Sequence, residues 1–347
     1  METTLITTFA VIFVFGLLVF VHELGHFMTA KMTNMRVEEF AIGFGPKLLS
    51  YRKGETLYSL RIIPLGGFNK ISGMDPDDKA DPRSYSARPI WARMIVILSG
   101  SFMNFFLAIA LFFIVILSSG VAIPSDKPVF GEILPDKPAA ISGLSAGDTV
   151  LAVNNIKIAT WKELVEIIQA NANTTVTLEV QKIATGQIEQ VAITPEQDLN
   201  TNRGVIGVIS HFDKYHPGII ESAWLSIKNT ALILVQMLVA LQNIIFGSAP
   251  AEVTGPVGIV KLTGQFAQLG FISLLQFAAF LSLNLGLINL FPIPALDGGH
   301  FIFLAIEAIR RKPLNRRALE IIHMMGFALL ISIMVLVTYK DIVNVLT

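Results

Sequence analysis

Phe20-Val21-His22-Glu23-Leu24-Gly25-His26-Phe27 sits inside an almost uninterrupted apolar run covering residues 5–30. About 20 apolar residues suffice to cross a bilayer as a helix, so the run predicts a membrane span that carries two imidazoles and a carboxylate. At helical spacing His22 and His26 stand one turn apart on one face and can hold a single Zn²⁺, and Glu23 is placed to take a proton from a water held there. A charged side chain at the centre of a membrane helix costs roughly 2 to 3 kcal/mol on insertion scales. Such side chains therefore imply partners or chemistry, and the pattern predicts peptide-bond hydrolysis within a membrane.

Composition agrees with a membrane enzyme. Of the 347 residues 53% are hydrophobic and only 15% charged, which fits several spans and one small soluble domain. A net charge of zero argues against nucleic acid as a partner. The chain has no cysteine, so disulfides and thiolate ligands are excluded and any metal must use His and carboxylate. The amino terminus lacks the basic region and small-residue cleavage site of a signal peptide and is expected to be retained.

Further spans are expected at residues 95–117, 271–290 and 322–337. A fifth stretch, 230–246, is interrupted by Gln236, Gln242 and Asn243 and lies at the lower limit of spanning length. Eleven basic residues lie between the first two spans: Lys31, Arg36, Lys47, Arg52, Lys53, Arg61, Lys70, Lys79, Arg83, Arg88 and Arg93. Arg310, Arg311, Lys312, Arg316 and Arg317 precede the last span. The positive-inside rule puts both groups in the cytoplasm. The insert at about 121–221 and both termini then face outward.

This predicts a polytopic α-helical membrane protein with about four transmembrane helices and an inserted extracytoplasmic α/β domain. Its parts are a first transmembrane helix (1–31), a cytoplasmic or membrane-reentrant region (32–93), a second helix (94–120) and the insert (121–200). A linker with a surface helix (201–268), a third transmembrane segment (269–309) and a basic loop with a fourth helix (310–347) follow. Within the insert, 128–133 and 149–153 read as strands, 161–170 as a helix, and 176–181 with 189–193 as paired strands. Between them Ala139-Ala140-Ile141-Ser142-Gly143-Leu144-Ser145-Ala146-Gly147-Asp148 resembles the signature of bacterial PDZ domains. Such domains offer a groove for an extended peptide.

A second constellation, Asn289-Leu290-Phe291-Pro292-Ile293-Pro294-Ala295-Leu296-Asp297-Gly298-Gly299, ends the third span. Its prolines break the helix, and irregular backbone at membrane depth is tolerated where it lines a buried or watered site. A catalytic zinc needs one more protein ligand beside an open position. Asp297 is the best candidate; the alternative is a capping Asp before a glycine turn.

The two motifs together resemble the site-2 protease family of intramembrane zinc metalloproteases, in particular the bacterial branch of the regulator of sigma-E protease. The resemblance covers nearly the whole chain. Ile42-Gly43-Phe44-Gly45-Pro46-Lys47 and Ile63-Pro64-Leu65-Gly66-Gly67-Phe68 look like that family's membrane-reentrant β-loop, and Gly100 with Asn104 matches its Gly-x-x-x-Asn element. The resemblance implies His22, His26 and Asp297 as zinc ligands, Glu23 as the catalytic acid/base, and substrate-binding roles for Asn289, Gly66, Gly67 and Asn104. It also implies a bacterial inner-membrane location. The substrates it implies are single-span membrane proteins, such as trimmed anti-sigma factors or remnant signal peptides. Ser101 stands where the family usually has proline, and one PDZ-like domain fits where many relatives carry two.

Topology adds an expectation. His22 lies roughly 26 Å along its helix at 1.5 Å per residue, past the midplane, and Asp297 meets it only if the third span runs from outside to inside. Residues 230–246 must then lie as an amphipathic helix on the outer leaflet. A substrate helix must unwind before its carbonyls can be attacked, and residues 57–63 are strand-forming enough to pair with the unwound segment. An ordinary hairpin on the membrane surface is the alternative for that stretch.

The remaining histidines are read without a metal role: His300, because a fourth ligand would close the site; His211 and His216, beside Asp213, as a solvated linker; and His323 as interfacial. The aromatic residues between Phe102 and Phe113 read as lipid-facing or packing. The rival readings are a non-catalytic membrane scaffold displaying the PDZ-like domain and a metal transporter. The second lacks polar residues along a path through the spans.

Overall fold

The computed structural model describes residues 2–74, 81–198, 201–247, 254–312 and 314–346. Lys79, one of the basic residues used to orient the chain, lies outside them. Two compact units are present, one formed by residues 1–119 with 218–347 and the other by 120–217.

In the first unit, helices α1 (Glu2–Met32) and α2 (Ile90–Ser119) are long, apolar and proline-free, and Pro89 stands immediately before α2. Their core stripe with a third helix, Phe271–Asn289, is built at i, i+4 spacing. Ala10, Val14 and Leu18 face Leu107, Ala108, Leu111 and Val115, and Leu274, Leu275, Ala278 and Leu283 complete the cluster. Between lipid-embedded helices close fit replaces hydrophobic drive, and the alanines in this stripe let the backbones approach. Large side chains on the other faces, including Phe9, Phe13, Phe102 and Phe106, are exposed, as lipid contact requires.

Strands β1 (Val37–Lys53) and β2 (Thr56–Ile71) form an antiparallel hairpin that folds back on itself. Residues 37–42 pair with 67–71 on one side and with 57–60 on the other, and 49–53 pair with the far edge of 57–60. Residues 57–60 therefore have neighbours on both edges. This corrects the expectation that 57–63 accepts an added strand; among the described residues, 67–69 and 49–53 are the segments paired along one edge only. Phe40 and Tyr58 pack edge-on against Phe27 of α1, and Phe20 meets Phe40, which ties the sheet to the helix carrying the histidines. At the hairpin tip, Glu55 pairs with Lys31 and Arg83.

The second unit contains β3 (Val121–Pro124), β4 (Phe130–Ile133), α3 (Pro138–Ile141), β5 (Thr149–Val153), β6 (Ile156–Lys157) and α4 (Trp161–Ala170). After them come β7 (Val176–Gln181), β8 (Ile188–Ile193), β9 (Glu196–Gln197), β10 (Gly204–Val205), β11 (Val208–Ser210) and β12 (Phe212–Tyr215). A four-stranded sheet in the order β6-β5-β7-β8 and α4 enclose Phe130, Val150, Leu164, Leu178 and Ile193. A reciprocal Thr160 and Glu163 cap starts α4. The unit runs past the expected end at 200 because β11 pairs with β4 and β12 with β3, which closes the sheet structure on its own first strands. Buried Asp148 accepts hydrogen bonds from the Ser145 and Ile183 amides and from Lys182. Burial alone would raise its pKa; these donors outweigh that and hold it below the usual carboxylate range.

The chain returns through α5 (Ile219–Ile245), α6 (Pro256–Gln268), α7 (Phe271–Asn289), α8 (Asp297–Arg310) and α9 (Arg316–Leu346). Five helices among the described residues, α1, α2, α5, α7 and α9, are long and apolar enough to cross a membrane. The expectation of four counted 230–246 as short, whereas α5 begins at Ile219 and has 27 residues. The expected third segment, 269–309, is two helices, because Pro292 and Pro294 interrupt it between α7 and α8. Near the end of α9, Asp341 accepts hydrogen bonds from the Gly255 and Gly258 amides at the start of α6. Gly264 of α6 lies against Thr7 near the start of α1.

Candidate active site

α1 presents His22 and His26 one turn apart, and the loop after α7 brings Asp297 to them. The three nearest ligand atoms form a small triangle: Nε2 to Nε2 is 3.2 Å, and Asp297 Oδ2 lies 3.3 Å from His22 Nε2 and 3.5 Å from His26 Nε2. Bonds of roughly 2.0 to 2.1 Å around a tetrahedral zinc place ligand atoms about 3.3 Å apart, so the triangle fits that ion with a fourth position left over. Asp297 Oδ2 is buried and has no hydrogen-bond donor. An acceptor left this way between two imidazoles calls for a cation. Among the described residues, this is the one group of three His, Asp or Glu side chains able to share an ion.

The imidazoles are oriented from behind. His26 Nδ1 donates to the Val96 carbonyl of α2 at 2.7 Å, which leaves Nε2 for the metal. His22 Nδ1 is 3.1 Å from the side-chain amide of Asn104. A metal on Nε2 would leave the proton on Nδ1, and the amide would then present its oxygen, which has no other partner, to the ring. Ser282 of α7 donates to the Asn104 carbonyl at 2.8 Å, so the helix that leads to Asp297 also steadies the partner of His22. Asn104 is fully buried. Its side-chain amide lies against His22 rather than open space.

Glycines give these groups room. A Cβ at Gly100 would lie 2.4 Å from His26 Nε2 and 2.7 Å from His22 Cε1, so α2 can pass the imidazoles at that depth only without a side chain. At Gly298 a Cβ would lie 2.3 Å from the Leu290 and Phe291 carbonyl oxygens, which explains why glycine follows Asp297 where α8 folds back onto the proline loop. Ala295, two residues before Asp297, has φ +87°, a conformation that costs an L-residue of order 1–3 kcal/mol and recurs at functional sites.

Glu23 points toward β2, where Asn69 Nδ2 donates to its Oε2 at 2.7 Å. Gly67 lies against the Glu23 side chain, and Gly66, at φ +101°, lies under the Phe44 ring. Asn289 is half-buried at the end of α7. His300 stacks on His323 of α9 with ring centroids 4.3 Å apart. Sequence reasoning missed Asn69 and Ser282, whose pairings span dozens to hundreds of residues and leave no local pattern.

The profile of peptidase family M50 matches residues 10–333. The chain belongs to peptidase family M50. Similar M50-length relatives include the zinc metalloprotease RasP of Geobacillus kaustophilus, 32% identical over 422 aligned positions that cover 99% of each chain. The regulator of sigma-W protease RasP of Bacillus subtilis is 31% identical and covers 97% of this chain and 98% of its own. A protein of Clostridium acetobutylicum carrying a zinc metalloprotease name is 38% identical over 96% of each chain. Among solved structures, the PDZ domain of an SdrC-like protein from Listeria monocytogenes covers 26% of this chain and 93% of its own, at 23% identity and a TM-score of 0.22. This M50 chain is a zinc metalloprotease.

Proposed function

We propose that the enzyme hydrolyses peptide bonds within or near the transmembrane segment of single-span membrane proteins. His22, His26 and Asp297 would hold Zn²⁺ and Glu23 would move the proton. The observation that carries this reading is the convergence of the three ligand atoms at 3.2 to 3.5 Å, two from α1 and one from the start of α8 just beyond α7, with α1 and α7 both apolar enough to lie in a bilayer. A scaffold would need no such convergence. When bound, the ion supplies Lewis-acid polarisation and a more acidic water. Glu23, one residue from His22, takes the proton and delivers it to the leaving amine.

Binding uses the hairpin. The outer edge at 67–69 runs beside Glu23, so an unwound substrate segment adding to it by strand pairing would lie along the catalytic residues. Gly67 lets that edge pass close to Glu23 and Gly66 takes the positive φ of the turn before it, and Asn289 lies at the broken end of α7 with part of its surface open to a substrate backbone. The name of the Bacillus subtilis relative, regulator of sigma-W protease, supports anti-sigma factors as substrates; remnant signal peptides share the same single-span form.

Four spans, α1, α2, α7 and α9, suit the internal contacts. The meeting of His22 with Asp297 makes α1 and α7 parallel, so the connection from the end of α2 to the start of α7 begins and ends on one face. One crossing by α5 would break that parity, and α5 is therefore assigned to the outer leaflet. Thr7 beside Gly264 and Asp341 at the start of α6 support both ends of the chain lying on the face of the insert. The basic residues assign the other face to the cytoplasm of a bacterial inner membrane.

The test is to co-express tagged single-span proteins with the enzyme and map the product ends. A cut inside the apolar segment that disappears with a metal chelator is expected; cuts only in soluble regions would defeat the proposal. The unit at 120–217 is assigned a PDZ-like fold that excludes bulky, untrimmed substrates. Replacing residues 129–195 by a short linker should then permit cleavage of untrimmed substrate, while groove substitutions that preserve folding change little. An inactive deletion together with groove variants that cannot cut trimmed substrate would favour peptide capture instead.

A further inference from the structure

β2 passes α1 at the catalytic carboxylate. A Cβ at Gly67 would lie 2.9 Å from Glu23 Cγ, so the strand approaches as closely as backbone allows, and Asn69, two residues on, returns to the same face. The amide nitrogen of Asn69 lies 2.7 Å from Glu23 Oε2 and 2.8 Å from the Glu23 carbonyl oxygen. Both partners are acceptors, so the amide orientation follows from chemistry, and each of its two protons has its own oxygen. One planar group thus bridges the main chain and the side-chain tip of a single residue. The bridge restrains the torsions between them and leaves Oε1 as the oxygen without this donor.

We propose that Asn69 is the positioning residue for the acid–base step, gripping Glu23 at both ends so that its free oxygen stays aimed at the water to be deprotonated. The inference rests on Glu23 having that role. A long, flexible carboxylate loses rate when its orientation wanders, since positioning supplies a large part of catalysis, and outer-shell partners of this kind are commonly worth about 10- to 100-fold.

The experiment uses full-length enzyme in detergent with Asn69→Leu, which cannot hydrogen-bond, and Asn69→Asp, which keeps the shape but cannot donate. Both variants should lower kcat about 10- to 100-fold, leave KM within about twofold, and retain the wild-type zinc content. Pull-down of a tagged single-span substrate by Glu23→Gln and by Glu23→Gln with Asn69→Leu should be equal, because binding does not need the carboxylate to be aimed. Unchanged kcat in both variants overturns the proposal. A fall in kcat matched by lost zinc or lost capture also overturns it, since Asn69 would then only hold β2 against α1. Full turnover by Glu23→Gln alone would instead defeat the acid–base reading of Glu23, a result distinct from silent Asn69 variants beside an inactive Glu23→Gln.

Discussion

Glu23→Gln is expected to lower turnover by about 10²- to 10⁴-fold, the usual range for a general acid or base, while zinc content stays at one per chain. Gln has the size of Glu and its carbonyl oxygen can still accept from Asn69, so the contact with β2 survives while the proton acceptor is lost. The proposed ligand atoms come from His22, His26 and Asp297, so metal analysis of the purified variant should match wild type. Substrate should remain bound and uncut. Turnover near the wild-type rate would remove Glu23 from the chemistry, and parallel loss of zinc would make it a ligand.

Asp297→Ala is expected to strip the metal. On the proposed assignment one of three ligands disappears and only two imidazoles remain, so affinity should fall by more than the roughly 10- to 100-fold that outer-shell partners cost, and activity with it. The capping alternative makes a different prediction: loss of a helix cap costs about 1 kcal/mol and leaves zinc in place. In the structure Asp297 is the first residue of α8, Leu296 holds the cap position, and no side chain caps that helix. Zinc measured in Asp297→Ala separates the two readings, and full retention would exclude Asp297 as a ligand.

The convergence of His22, His26 and Asp297 was legible because each half carries its own local rule. His22 and His26 share a helical face at i, i+4, and Asp297 follows a proline break that apolar helices do not carry without reason. The membrane helices were legible from length, yet α5 was underestimated because Trp224, Lys228 and the small polar residues before Thr230 hid the start of a helix at Ile219. The sheet was not legible in detail. Residues 57–60 and 67–69 have similar strand character, and only the folding of β1 and β2 onto themselves pairs 57–60 along both edges. The contacts of Asn104 and Asn69 were unreadable for the same reason: which helix or strand each amide meets, His22 for one and Glu23 for the other, depends on packing between elements.

The wide separation of the ligands along the chain has a consequence for biosynthesis. His22 and His26 enter the bilayer with the first helix, but Asp297 is translated roughly 270 residues later, about 15 to 50 s at bacterial elongation rates. Until then the nascent chain holds two imidazoles without the carboxylate that joins them. The group of His22, His26 and Asp297 can therefore be assembled only after α7 has been laid beside α1.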